Sequence, residues 1–452
     1  MKYPLLLMGM IFWGSAAFAE PGRMRLSLQE AERRAVAASL DNRQAAAQLS
    51  MTKESLNVQK SSLKPRLSLE GSYRYLSEIP EAQLGPASVA FGQHHNYSVG
   101  PMLSYEIYNG GADHKVTESL EKLLKSREKD QEAARLRTIL DTRLAYSRVR
   151  LSLDEMQLFI GSLQVLQARL KDTQQRLRHG SASRLESLAI QREELQTRLR
   201  YMQTQASLAE NLRKLAFLLG DQTLPTELLP IGPHDSPEAL GLPAGNYIVD
   251  FESIPGQLSR VQRSIRQEPN PSHPQLLAWE ERKESARLEG ESREQSGSPR
   301  IQVFAKSTYD YPHGPLDEAV WQNSFGVALS YTLYDGALRQ HQKAQKLAEL
   351  QSHEIQKEKI AQDFQESWAN ARAQLESLQL QRKVVQDAMS RAEQEAQLTQ
   401  ANYQAGAINY LEVQRANTQV LEIRTSLSRI EAQIFAQYAL LNYLSAQSEA
   451  AT

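Results

Sequence analysis

Two stretches of this chain carry a helical hydrophobic pattern for longer than a globular domain can hold. From Ala337 to Ala405 there is neither Pro nor Gly, and from Ala112 to His179 only Gly161 interrupts. At 1.5 Å per residue, such helices reach roughly 100 Å. Leu120, Leu123, Leu136, Ile139, Leu140 and Leu144 recur at helical spacing but not in strict heptads, and the remaining surface is Gln, Arg, Glu, Ser and Ala. That narrow stripe suits helices packed side by side around water, with a solvated coiled-coil rod as the alternative. Ahead of each long helix the period changes to two. Leu67, Leu69, Tyr73 and Tyr75 alternate with Ser68, Glu70, Ser72 and Arg74, and Tyr97, Val99, Leu103, Tyr105 and Ile107 with Ser98, Gly100, Ser104 and Glu106. Further on, Ile301, Val303 and Tyr309 oppose Gln302, Lys306 and Thr308, and Phe325, Val327, Leu329, Tyr331 and Leu333 oppose Ser324, Ser330 and Thr332. These alternations predict strands at about 65–76, 96–108, 299–310 and 322–334. Their length, dyad pattern and tyrosines match outer-membrane barrel strands, although a sandwich strand with one wet face shows the same pattern. Four strands cannot close a barrel alone, and a bilayer does not tolerate open edges, so in lipid several copies of the chain must share one barrel.

The chain is also written twice. Leu103–Gly110 (LSYEIYNG) recurs as Leu329–Gly336 (LSYTLYDG) at an offset of 226, and Gly180 recurs as Gly406 at the same offset. Pro65-Arg66-Leu67 recurs as Pro299-Arg300-Ile301 at an offset of 234, which makes the first intervening loop eight residues longer. Each copy reads as a polar helix (about Leu26–Leu63 and Pro274–Glu294), two strands, a very long helix (about 112–179 and 337–405), a turn at glycine, and a shorter returning helix. The repeats span 20–220 and 257–452. Between them Asp221–Gly256 holds six prolines and several glycines, which predicts irregular connecting structure.

Composition sharpens the class. The 452 residues carry 52 Lys+Arg against 53 Asp+Glu, no cysteine, and a mean hydropathy of −0.52. The near-neutral charge leaves no basic footprint for nucleic acid, and the absence of Cys removes disulfides, thiolate metal sites and a cysteine nucleophile. No segment of the mature chain offers the roughly 20 consecutive apolar residues of a spanning helix. Lys2, the apolar run Leu5–Trp13 and Ala17-Phe18-Ala19 read as a signal peptide over 1–19, with the mature chain starting at Glu20. An exported chain follows, either membrane-embedded through its strands or a periplasmic coiled-coil structural or adaptor-like protein.

Taken together, the signal peptide, the duplicated helix–strand–strand–long helix–helix units and the Tyr-Asn-Gly and Tyr-Asp-Gly at Tyr108 and Tyr334 resemble the TolC-like outer-membrane efflux protein family. The resemblance covers essentially the whole mature chain and is most specific at Leu103–Gly111, Leu329–Ala337, Gly180 and Gly406. It implies a mainly α fold with a small β part. It further implies a homotrimer in which twelve strands form one outer-membrane barrel, continued by a long α-helical periplasmic barrel, with Asp221–Gly256 as its equatorial segment. The implied role is the exit duct of a tripartite efflux pump or of type I secretion. Such a duct sits in outer-membrane lipid and docks a periplasmic adaptor (membrane fusion) protein. The adaptor connects it to an inner-membrane transporter of RND, ABC or MFS type, which supplies the energy. No catalytic site and no cofactor are implied.

By the same resemblance Gly180 and Gly406 mark the periplasmic tip. Both suit a left-handed residue ending a long helix, and Ser183-x-x-Glu186 and Asn409-x-x-Glu412 read as N-cap pairs of the returning helices. Capping is one role for the two glutamates; the other is a pair of acidic rings at the tunnel mouth that favours cations. Arg415, where the family often repeats an acid, weakens the second role. Leu185, Leu411, Tyr403 and Arg415 are candidates for gate or adaptor contacts, the first three equally for packing. Elsewhere the chemistry is thin. Arg178-His179-Gly180 lacks the rest of a histidine-phosphatase motif, His353-Glu354 lacks a second metal-spaced His, and His94-His95 is a two-residue pair in a loop.

Overall fold

The computed structural model describes residues 24–84, 87–220, 249–253, 268–314 and 316–446. The signal peptide and 221–248 and 254–256 of the connecting segment lie outside these residues. Strand β1 (Met24–Leu26) leads into α1 (Leu28–Ala38) and α2 (Leu40–Ser62). A single helix was expected over Leu26–Leu63, but Ser39 divides it. Its hydroxyl accepts from the Asn42 backbone N–H at 3.3 Å and bonds Thr138 Oγ1 at 3.2 Å, so a serine that competes for backbone hydrogen bonds starts a new helix. Strand β2 (Arg66–Tyr75), a short hairpin of β3 (Glu81–Leu84) and β4 (Ala87–Ala90), and β5 (His95–Tyr108) follow. The first repeat ends with α3 (Ala112–Arg178) and α4 (Arg184–Leu219). After β6 (Val249–Phe251), the second supplies α5 (Pro274–Gln295), β7 (Arg300–Tyr311), β8 (Val320–Ser330), α6 (Leu338–Gln404) and α7 (Tyr410–Leu444). Both long helices have 67 residues, and Gly161 does not break α3.

The chain divides into two compact units. One comprises residues up to Ala38, Asp141–Arg263 and Gln374–Ala439; the other comprises Ser39–Leu140, Ser264–Ala373 and Leu440 onward. In the first unit, buried Leu153, Met156, Leu163, Ile190, Tyr201, Leu208, Leu215 and Phe435 form the core along the helices. Tyr146 anchors the short strands there. Its hydroxyl donates to the Leu26 carbonyl at 2.7 Å and accepts from the Glu252 N–H at 2.8 Å, while its ring meets Phe251 edge-on at 5.2 Å. These contacts hold Val249–Phe251 as a strand parallel to β1, where irregular structure was expected. The pairing with β1 supplies the ladder partners that a proline-rich segment cannot supply for itself.

The second unit holds the sheet. Its order is β2-β5-β7-β8, antiparallel throughout. The two repeats are therefore stitched together at the β5–β7 pair, and β2 and β8 are left as open edges. Register aligns Leu67, Leu103, Ala305 and Phe325 across the sheet, with Tyr105, Val303 and Val327 on the same face. That face is bare: Leu67 is 71% exposed, Leu69 75% and Phe325 92%. The last strand stops at Ser330 because Arg300, its partner, is the first residue of β7, so Tyr331–Tyr334 have no ladder to join on that side. Elsewhere in this unit Phe364, Trp368, Leu276, Leu288 and Leu441 are buried, together with Ser119, Ser126, Ser285 and Ser292. Small hydroxyl residues let helices approach closely while satisfying one another, as Ser119 and Ser285 do at 3.2 Å.

Candidate functional site

The turns that end the two long helices are built alike. At the first, the Ser181 N–H donates to the Arg176 carbonyl at 2.8 Å and the Gly180 N–H to the Leu177 carbonyl at 3.0 Å. At the second, Ala407 N–H donates to Asn402 at 2.9 Å and Gly406 N–H to Tyr403 at 3.0 Å. Both are Schellman turns, and each needs its glycine because φ is +74° at Gly180 and +77° at Gly406. The returning helices are capped by side chains: Ser183 Oγ accepts from the Glu186 N–H at 3.1 Å and Asn409 Oδ1 from the Glu412 N–H at 3.3 Å.

Beyond that local symmetry the two glutamates have different surroundings. The Glu186 carboxylate turns inward, away from the Ser183 N–H that a full capping box would use. It accepts from Arg176 Nη2 at 2.8 Å and from the Tyr403 hydroxyl, and its side chain is only 14% exposed. Arg176 also donates to Tyr403, sits 5.5 Å from that ring's centre, and bonds Asp172 at 3.1 Å. The Tyr403 hydroxyl is held above its ordinary pKa by burial and by the bond to Glu186, and the Arg176 guanidinium is held up chiefly by its bond to Tyr403. Arginine, tyrosine and carboxylate thus close a three-member latch between α3, α4 and α6.

Glu412 is exposed and, among the described residues, pairs with Arg415 alone, at 3.1 Å and one turn along its own helix. The residues that correspond to Arg176 and Tyr403 in the other repeat are Asn402 and Leu177, so the second copy has no latch. Leu185 stands exposed and Leu411 is on the surface at 37%. Tyr403 is half-buried against a cluster of Leu166, Ala189, Ile190, Tyr410 and Val413. The structure therefore brings Glu186 to Tyr403 and Glu412 to Arg415, and leaves the two leucines free of the cluster. Arg176 was missed; a basic residue one turn before Gly180 was its only signal. Of the histidine pair expected in a loop, His95 is instead the first residue of β5, paired with Tyr75; its Nδ1 bonds the Tyr73 hydroxyl at 2.7 Å, and His94 Nδ1 bonds the Leu76 carbonyl at 2.8 Å. Among the described residues no cluster of three or more His, Asp or Glu is placed to hold a metal, and no helix is long and apolar enough to cross a membrane.

The family model described as outer membrane efflux protein matches residues 31–221 and 267–445. The chain belongs to that family. The two matched stretches follow the two repeats and leave out the proline-rich connection. Among solved structures, members of the same TolC-like group share the fold. The outer-membrane channel OprN superposes with a TM-score of 0.71 at 18% identity, covering 93% of this chain and 90% of that one. The outer membrane protein VceC of Vibrio cholerae gives 0.70 at 16% identity, covering 92% and 96%. An open state of the MtrE outer membrane channel of Neisseria gonorrhoeae gives 0.69 at 16% identity, covering 93% and 88%. No curated protein matches the chain by sequence. The family and the fold make the protein an outer-membrane efflux channel in kind.

Proposed function

We propose that the chain is an outer-membrane channel-tunnel, the passive exit duct of a tripartite efflux pump or type I secretion system. The observation that carries this reading is the four-stranded antiparallel sheet with both edges open and one face covered in exposed Leu, Val, Tyr, Trp and Phe. Apolar faces of that size must be covered, and lipid does not tolerate open edges. Three copies, joined β2 to β8, would close a twelve-stranded barrel and satisfy both demands. Export by the signal peptide at 1–19 and residence in the outer membrane, with the helices extending into the periplasm, belong to the same reading. Energy would come from an inner-membrane transporter of RND, ABC or MFS type, linked through a periplasmic adaptor.

At the tip, the reading gives the latch of Arg176, Glu186 and Tyr403 the role of holding α6 against the α3–α4 turn. Opening the tunnel then means breaking it. Glu412, exposed beside Arg415, is the carboxylate that three copies would present as a ring at the mouth, and Leu185 and Leu411 are the apolar contacts offered to an adaptor. The test is reconstitution of purified protein into planar bilayers. Stable conductance steps from a trimer are expected; a monomer without conductance would refute the proposal. Glu412→Gln is expected to lower cation selectivity, and an unchanged reversal potential would leave that side chain with its Arg415 pair alone.

A further inference from the structure

Seven residues beyond Glu186 on the same helix lies a carboxyl group that the tip does not use. Glu193 is 8% exposed, yet its oxygens meet only neutral hydroxyls: Thr418 Oγ1 at 3.3 Å and the Tyr410 hydroxyl at 3.4 Å, both from α7. Arg169, on α3, donates to Gln400 at 3.0 Å and also bonds the Tyr410 hydroxyl, so it acts on Glu193 through space and not by an ion pair. A carboxylate this buried without an ion pair is costly, and burial holds Glu193 above the ordinary carboxyl range while Thr418, Arg169, Tyr410 and Arg192 act the other way. Beside it lies a cavity of about 330 Å³, lined among others by Gly161, Val165, Thr197, Asn417 and Leu421. Gly161 helps to open it, since a Cβ there would meet nothing within 4 Å. At roughly 30 Å³ per molecule, that space admits several waters.

We propose that Glu193 is a proton-binding site that governs how firmly the start of α7 packs on α4. With the proton bound, the neutral carboxyl sits among its two hydroxyl partners. With the proton lost, the carboxylate draws water into the adjoining cavity and the α4–α7 contact loosens. Arg169, Arg200 and Arg424 line the same cavity, and each is bonded to another side chain. Arg200 pairs with Glu422 at 3.7 Å and Arg424 with Glu393 at 2.5 Å. Arg192 projects from the same helix as Glu193, and the Tyr410 hydroxyl is itself pushed up to about 12, by burial first and then by Glu193. Tyr410 also stacks edge-on against Tyr403 at 6.0 Å, which connects the site to the latch. That last link rests on the channel reading; the proton site does not.

The sign follows from the raised affinity for the proton. The packing is firmest at low pH and weakens as pH rises from the ordinary carboxyl range upward. Hydrogen exchange of the assembled protein in detergent, corrected for the intrinsic pH dependence of exchange, reads this directly in peptides covering 410–418. As pH rises above the ordinary carboxyl range, protection of these peptides is expected to fall. E193Q, a neutral isostere, should hold protection flat. T418V removes a donor that favours the carboxylate and should move the midpoint to higher pH, which keeps the test decisive if E193Q does not assemble. Undiminished pH dependence in E193Q, or an unmoved midpoint in T418V, overturns the proposal. Exchange is read without conductance, so failure here and failure of the channel reading are separate results.

Discussion

Tyr403→Phe removes one oxygen from the tip and nothing else. That hydroxyl donates to Glu186 and accepts from Arg176, so two charge-assisted hydrogen bonds are lost. Bonds to charged groups contribute about 1.5–3 kcal/mol each. Here the direct Arg176–Glu186 contact at 2.8 Å survives, and the arginine is 35% exposed, so the low end of that range applies to the pair together. A cost of about 1.5 kcal/mol shifts the balance between latched and released tips roughly tenfold. In planar bilayers the released tip reads as a larger fraction of time in the high-conductance state. Glu186→Gln keeps the side chain's shape and breaks the same unit, so the double variant should fall short of additivity by about 1 kcal/mol. Strict additivity, or a Tyr403→Phe channel that opens no more often than the original, would show that the three side chains do not act as one latch.

Acid should weaken the second unit through His273. Its ring is fully buried between Phe364 and Tyr443, its Nδ1 caps α5 by accepting from the Gln275 N–H at 3.2 Å, and burial pulls its pKa down to about 4 from 6.5. The stability is complete above pH 6.5 and is lost as pH falls through 4, by up to ~3 kcal/mol; His273→Asn, which preserves a cap, should flatten denaturant midpoints over that window relative to the parent. Gly180→Ala and Gly406→Ala add a Cβ that touches nothing within 4 Å, so each measures backbone strain alone, about 1 kcal/mol, seen as faster proteolysis at the turn. Phe325→Arg places a charge on the bare face of the sheet; if that face meets lipid, about 2–4 kcal/mol is lost and detergent-resistant trimers should become scarce in gel assays.

Much of this architecture is written locally. The offset of 226 residues that relates Gly180 to Gly406 also relates the starts of α3 and α6 and of α4 and α7. Helical spacing, dyad alternation and glycine turns are properties of a few neighbouring residues, so Tyr73 and Leu103 could be assigned to one strand face, and Gly180 to a helix end, by reading along the chain. What happened at Ser39 was also local, yet a serine inside a polar helix reads the same whether or not it caps a new one. The non-helical backbone at Ser39 and its bond to Thr138, 99 residues away, distinguish the two.

The tertiary structure decided whatever depends on faces meeting across long separations. It joined β5 to β7 and so made one sheet of two repeats. It gave Val249–Phe251 a strand partner in Met24–Leu26. It also separated glutamates that sequence treats as equals. Glu186 is drawn into Arg176 and Tyr403 while Glu412 stays with Arg415 in solvent, because the duplicated helices carry different residues where they touch. In sequence Glu193 is one of many charged residues on a polar helix. It became a buried carboxyl only because α7 lays Tyr410 and Thr418 over it, and a side chain's desolvation is fixed by what packs against it, not by its neighbours in the chain.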